Sequence, residues 1–190
     1  METGMLLPGM FYFDNDRHAT NAGAIGAFGF RIGSEISRVL ATGTNWVQVP
    51  KSVKVTLKGK LKPGVYARDI GFHLAMLIKQ KIFDVDIDYK VLEYAGDLDQ
   101  FSLAARTALC SSPTEIQAYG VFLPPSETIL AHAREQATRP LVTPLNPVLR
   151  SKVVGTIAKI GSTIPNPFQW AFIGISIASE RRATLDLQRA

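Results

Sequence analysis

The residues best suited to chemistry lie close together near the amino terminus. Asp16, His18 and Asn21 follow a short apolar run at residues 10–13 and precede a glycine-rich stretch. An imidazole beside a carboxylate can accept and donate a proton near neutral pH. Asp16 and His18 are therefore a candidate acid–base pair, although an Asp-x-His sequence in a loop is also a common structural hydrogen-bonding feature.

The surrounding elements are expected to place this pair at the end of a strand. Residues 10–13 predict a buried strand, and the apolar spacing over residues 36–40 predicts a helix. The three polar residues should then lie in the strand-to-helix loop, where open α/β sheets bind ligands. Gly23, Gly26 and Gly29 leave room either for an anionic group at the helix N-terminus or for close helix–sheet packing.

The rest of the chain alternates between strand and helix patterns. Strands are expected at residues 53–60, 84–94, 121–123 and 170–177, and helices at residues 67–78, 98–110, 113–118, 127–137 and 179–188. In the strand at 84–94, the last inward position is a carboxylate, Glu93. The alternation predicts a three-layer α/β/α domain.

The proline distribution divides the chain into three parts. Five prolines fall between residues 139 and 167, with few periodic apolar positions among them. We therefore expect an α/β/α core over residues 1–138, a proline-rich wrapping connection over 139–167, and a strand and helix over 168–190 that complete the same domain.

Composition restricts the location and the partners of the chain. The net charge of +5 is mild, and its basic residues are scattered, which argues against nucleic-acid binding and is compatible with attraction of a small acidic substrate. No apolar run is long enough for a membrane span. The single cysteine, Cys110, excludes an intramolecular disulfide and a cysteine-only metal site. Together with the absence of a basic n-region, it predicts a cytoplasmic location.

Several motifs, in consistent order over residues 8–135, resemble the aconitase and isopropylmalate isomerase large-subunit family. The chain has Asp-Arg-His-Ala at 16–19 where the family has Asp-Ser-His-Thr, and Val-Leu-Ala-Thr at 39–42 as the family does. It has Gly-Lys-Leu-Lys-Pro-Gly-Val at 59–65 and Val-Leu-Glu-Tyr-Ala-Gly at 91–96, where the family has Gly-Lys-Leu-Pro-Pro-Gly-Val and Val-Ile-Glu-Phe-Ala-Gly. The resemblance implies one α/β/α domain of that family.

The resemblance also implies roles for four polar residues. Asp16 and His18 match a family pair in which the carboxylate orients the imidazole. Asn21 matches a residue beside the family's cluster and substrate. Glu93 matches a carboxylate that binds the substrate hydroxyl or a bound water, although it could also be an ordinary exposed strand terminus.

Arg17 replaces a serine of the family motif. Its guanidinium could bind a substrate carboxylate or enolate bidentately, or it could pair with Asp14 or Asp16. Further polar residues are expected to have structural roles only: His73, His132, Arg106 and Glu115.

The resemblance weakens at the family's [4Fe–4S] cluster. Ser176 stands where the family has its first cluster cysteine, and the two later cysteines would lie beyond Ala190. Cys110 matches a family cysteine that is not a ligand. Such clusters are held by thiolates, so we expect no iron–sulfur cluster and no other metal. The family's upstream catalytic histidine and its swivelling domain also have no counterpart in these residues.

These observations favour a cluster-free aconitase-like enzyme. It would perform a dehydration, isomerisation or cyclisation on a small carboxylate or activated carbonyl compound, in a specialised biosynthetic pathway. The alternative is a non-catalytic or split subunit, or a degenerate copy without activity. The expected partners are an anionic or carbonyl-bearing small molecule and a second copy or partner subunit, with no nucleic acid and no membrane.

Overall fold

The computed structural model describes residues 4–138 and the strand at 179–186. In chain order, the elements are β1 (Phe11–Asp14), a 3-10 helix here named the site helix (Arg17–Ile25), β2 (Phe28–Arg31), a 3-10 turn (Gly33–Glu35), α1 (Ile36–Thr42), β3 (Lys51–Lys58), α2 (Ala67–Lys79), β4 (Lys90–Gly96), α3 (Leu103–Ser111), a 3-10 turn (Ser112–Ile116), β5 (Gly120–Phe122), α4 (Glu127–Thr138) and β6 (Ser179–Asp186).

Two parallel sheets organise these elements. The larger sheet has the order β5-β4-β3-β6, and the smaller one pairs β1 with β2. In the larger sheet, Val55 of β3 lies opposite Tyr94 of β4. Parallel strands require crossover connections, which α2 and α3 supply here. The predicted α/β class is confirmed.

Helices α2 and α3 cover one face of the larger sheet. The buried residues of this core include Val53, Val55, Leu57, Ile70, Leu74, Leu92, Tyr94 and Leu109. Because neighbouring residues of a strand point to opposite faces, Val91 lies on the other face, where it packs with Phe28 and Phe30 of β2. The smaller sheet therefore covers the start of β4 on that face.

The site helix packs closely against its surroundings. A Cβ atom on Gly23 would overlap the carbonyl oxygen of Val121 in β5, and one on Gly29 of β2 would overlap a carbonyl oxygen of the site helix. The Thr20 hydroxyl donates to the carbonyl oxygen of Cys110 in α3 at 3.0 Å. Close packing against β2, β5 and α3 thus explains these two glycines without a phosphate ligand.

The region around the site differs from the prediction in three respects. Strand β1 is exposed and not buried as predicted: the solvent-exposed fractions of Phe11, Tyr12 and Phe13 are 47%, 38% and 40%. The expected loop is the site helix, which contains His18 and Asn21. The glycine-rich stretch that was expected to lead directly into α1 also contains β2.

Residues 84–94 form a strand only in their second half. The Asp88 N–H donates to the Asp86 carboxylate at 3.0 Å, and Tyr89 has a φ of 52°, which a strand does not allow. Local turn chemistry therefore replaces the first part of the predicted strand. The helix predicted over 98–110 begins later, at Leu103, where the Ser102 hydroxyl caps it.

The helix predicted at residues 179–188 is wrong, because Ser179–Asp186 is strand β6, with Ala183 opposite Val55 of β3. Its glutamate, arginine, alanine and leucine residues favour a helix in isolation, and pairing with β3 overrides that preference. The predicted connection at 139–167 and strand at 170–177 lie outside the described residues. None of the helices within residues 4–138 is long and apolar enough to cross a membrane.

Candidate active site

Asp16 and His18 form a hydrogen-bonded pair at the start of the site helix. Asp16 is the N-cap residue, and its Oδ1 accepts the backbone N–H of His18 at 2.7 Å. The same oxygen lies 2.8 Å from Nδ1 of the imidazole. Because a carboxylate can only accept, Nδ1 carries the hydrogen of this bond. In the neutral ring, Nε2 is then a bare acceptor.

This pair is open to solvent. The side chains of His18 and Asp16 are 51% and 66% exposed. The backbone N–H of His18 and then its imidazole lower the pKa of Asp16, and the Arg31 guanidinium contributes to the same effect. Asp16 is therefore a carboxylate at neutral pH, and a small molecule can reach the imidazole.

Arg17 and Asn21 flank this pair on the site helix. Arg17 is exposed, and in the described part of the chain no ion pair joins it to Asp14 or Asp16. Those carboxylates instead accept hydrogen bonds from Tyr12 and His18. Asn21 lies one turn after His18, and its Oδ1 is buried without a hydrogen-bond partner.

Glu93 lies in the middle of β4, opposite Lys54 of β3 and Phe122 of β5. Its side chain is partly buried, so it is not an exposed strand terminus. Burial raises the pKa of Glu93, while the Ser52 hydroxyl and the Lys54 ammonium oppose part of that effect. The result favours the protonated acid relative to an ordinary glutamate.

The structure brings together only part of the predicted set. Across residues 4–138, no hydrogen bond or ion pair joins Glu93 to any of the four predicted residues at the site helix. The two parts are connected through β5, since Glu93 lies opposite Phe122 and the Leu123 N–H donates to the Gly23 carbonyl at 3.1 Å.

Two residues near the pair, Tyr12 and Arg31, were not identified from the sequence. Tyr12 donates its hydroxyl to Asp14 at 2.6 Å, and Arg31 donates Nε–H to the carbonyl oxygen of Asn15 at 2.9 Å. In the sequence, Tyr12 belongs to an apolar run, and Arg31 is the last residue of β2, a strand that Gly29 conceals. The i, i+2 spacing of Tyr12 and Asp14 on an exposed strand is the signal that could have identified this contact.

Arg106 has the structural role that was predicted for it. Its side chain is 1% exposed, and Nη1 donates to the carbonyl oxygen of Pro124 at 2.8 Å. His73 lies in α2 and His132 in α4.

Cys110 is poorly suited to bind iron. Cys110 is a residue of α3, and its side chain is fully buried in the core. Burial raises the pKa of its thiol, which disfavours the thiolate that binds iron. It is the only cysteine in the sequence, while a cluster needs several. In the described residues, no three His, Cys, Asp or Glu side chains gather to hold a metal ion. These donors do not fit the [4Fe–4S] cluster that the resemblance implies; Ser176 lies outside the described residues.

Residues 1–146 match the model of the aconitase family, described as aconitate hydratase. Over 140 residues, the chain is 37% identical to the 3-isopropylmalate dehydratase large subunit of Listeria welshimeri. These residues are 73% of this chain and 30% of the relative.

Two further relatives extend this comparison. The chain is 37% identical over 135 residues to the 3-isopropylmalate dehydratase large subunit 1 of Mannheimia succiniciproducens, covering 70% of this chain and 28% of the relative. It is 32% identical over 141 residues to the probable methanogen homoaconitase large subunit of Methanosarcina mazei, covering 73% and 35%. The chain thus spans about three tenths of the length of these relatives.

Proposed function

Because the chain belongs to the aconitase family, as its motifs predicted, we propose that it performs hydro-lyase-type acid–base chemistry on a small hydroxycarboxylate. The observation that carries this proposal is the exposed Asp16–His18 pair, in which one carboxylate oxygen binds both N–H groups of His18. Isomerisation and cyclisation would use the same proton transfers.

His18 is the proposed general base. Its Nε2 takes the proton from the carbon next to the departing hydroxyl, and Asp16 stabilises the imidazolium that forms. Glu93 is the proposed acid that protonates the hydroxyl as it leaves as water. The raised pKa of Glu93 supports this role, because a general acid must hold its proton until the hydroxyl leaves.

Substrate binding is assigned to Arg17 and Asn21. The exposed guanidinium of Arg17 suits a carboxylate bound bidentately, and the buried Oδ1 of Asn21 suits a hydroxyl donor. The proposal includes Glu93 in this same site and places the reaction in a specialised biosynthetic pathway. It also holds that this chain binds no iron–sulfur cluster. The single buried cysteine supports it.

Replacement of one histidine tests the assignment. The full chain would be assayed with 3-isopropylmalate, the compound in the names of two relatives, by following the ultraviolet absorbance of the conjugated alkene acid. His18→Gln should lose about 100-fold or more of the turnover, the usual contribution of a general base. His73→Gln, a matched change on α2, should retain it. Full activity in His18→Gln would remove the imidazole from the mechanism.

A second candidate function is that of a subunit that needs a partner chain. It is favoured by four consecutive exposed apolar side chains at residues 10–13: Met10 at 39%, Phe11 at 47%, Tyr12 at 38% and Phe13 at 40%. Exposed apolar surface of this kind marks interaction sites, and the relatives are named as large subunits. Sedimentation of the purified chain would show self-association or a monomer. A monomer inactive on 3-isopropylmalate would favour the subunit role.

A further inference from the structure

Tyr12 and Asp14, at the end of β1, form a contact that the proposed chemistry does not use. The Tyr12 hydroxyl donates to Oδ2 of Asp14 at 2.6 Å. The other oxygen of the same carboxylate, Oδ1, accepts the backbone N–H of Asp16 at 3.3 Å. One carboxylate therefore links a strand side chain to the residue that caps the site helix.

The series continues from Asp16 to the imidazole. Oδ1 of Asp16 binds the backbone N–H and the Nδ1–H of His18. The orientation of His18 thus depends on Asp16, whose main chain is held in turn by Asp14. From the other side of this loop, Arg31 of β2 donates Nε–H to the carbonyl oxygen of Asn15 at 2.9 Å.

Tyr12 and Asp14 are in the protonation states that their hydrogen bond requires. Donation to the Asp14 carboxylate raises the pKa of Tyr12, so the phenol keeps its hydrogen at neutral pH. The same bond lowers the pKa of Asp14, which is therefore a carboxylate. A bond between a neutral hydroxyl and a carboxylate is charge-assisted, and is stronger and shorter than a neutral one.

We propose that Tyr12 and Asp14 are positioning residues for His18, holding its neutral ring in the Nδ1–H tautomer with Nε2 bare. The inference rests on the proposed role of His18 in proton transfer. Neither residue touches the substrate. They act through the backbone of Asp16, which fixes the carboxylate that selects the tautomer.

Nitrogen-15 NMR of the imidazole rings in the full chain tests this directly. The chain has three histidines, so His73 and His132 are internal references in the same spectrum. Spectra would be recorded over a pH series and compared at its alkaline end. Wild type should show His18 as the Nδ1–H tautomer. Tyr12→Phe, which keeps the ring, and Asp14→Asn, which keeps the size, should both reduce the tautomer ratio of His18.

The expected reduction is about three-fold or more in each variant, the effect of losing one charge-assisted hydrogen bond. The signals of His73 and His132 should stay the same, which a general structural loss would not allow. Unchanged His18 signals in both variants would overturn the proposal. A wild-type His18 in the Nε2–H tautomer would also overturn it, without any variant.

Failure of the proposed function is distinguishable from failure of this inference. If His18→Gln keeps full turnover, the acid–base role is wrong, whereas the tautomer measurement still reports whether Tyr12 and Asp14 orient the ring. If the tautomer is insensitive to both variants while His18→Gln is inactive, the positioning role is wrong and the chemistry stands.

Discussion

Replacing Gly29 with alanine should displace the site helix, because β2 leaves no room for a methyl group there. The new Cβ would overlap the carbonyl oxygen of Ala19 and lie 2.8 Å from the Cβ of Ala22. The first obstacle is main chain, one residue after His18. The contact can be relieved only by moving β2 or the site helix.

The magnitude follows from two opposing effects. Overpacking of this kind costs about 1–3 kcal/mol, and a main-chain obstacle places this case near the upper limit. Losing a glycine from the unfolded chain returns about 0.4–1 kcal/mol. The net loss is about 2 kcal/mol, which lowers the melting temperature by about 4–8 °C in a chain of this size.

Gly64→Ala is a matched control. A Cβ at Gly64 has no atom within 4 Å, and the residue has a φ of +85°, so backbone strain of about 1–2 kcal/mol is the expected cost. Calorimetry should show both variants destabilised. Only Gly29→Ala should shift the amide signal of His18 and reduce turnover. Wild-type stability and an unshifted His18 in Gly29→Ala would refute the packing argument.

Three further substitutions have defined outcomes. The pKa of Asp16 is lowered in the folded state. The Asp16 carboxylate therefore stabilises the fold above the ordinary aspartate pKa, and this contribution is lost as the pH falls through the folded pKa. Urea unfolding should find Asp16→Asn less stable than wild type at neutral pH, and the difference should disappear in acid. The folded pKa of Glu93 is raised, so its ionised form costs stability at neutral pH. At neutral pH, Glu93→Gln should be more stable than wild type, and this difference should disappear below the ordinary glutamate pKa. The variant should also turn over more slowly. A lower stability than wild type at neutral pH would contradict the burial argument. Ser102→Ala removes the 3.3 Å cap bond to the Ala105 N–H and should cost about 1 kcal/mol in thermal unfolding without changing turnover.

Elements with a clear amphipathic pattern could be predicted from the sequence. Helix α2 has buried Ile70 and Leu74 at helical spacing, as expected. Strand β3 has Val53, Val55 and Leu57 on its buried face. In both cases, the local pattern and the tertiary packing favour the same structure.

The predictions failed where distant contacts decide the structure. Strand β6 exists as a partner of β3, although its own residues favour a helix. Strand β2 is hidden in the sequence by Gly29, whose missing side chain makes room for the site helix. Neither effect can be inferred from local periodicity.

The same distinction applies to the candidate site. The contact between Asp16 and His18 is local, because a carboxylate at an N-cap binds an N–H two residues later, so their spacing predicted it. The raised pKa of Glu93 depends on burial in the assembled sheet. The bond between Tyr12 and Asp14 needs their side chains to meet beside an exposed strand, which an apolar pattern does not reveal.

The proposed role of His18 is to move a proton between solvent and a substrate carbon. The direct measurement is deuterium incorporation into 3-isopropylmalate by the full chain in deuterated water, read by mass spectrometry. Wild type and His73→Gln should incorporate deuterium at the carbon next to the hydroxyl-bearing one, and His18→Gln should not. Equal incorporation by His18→Gln and wild type would show that His18 does not carry this proton.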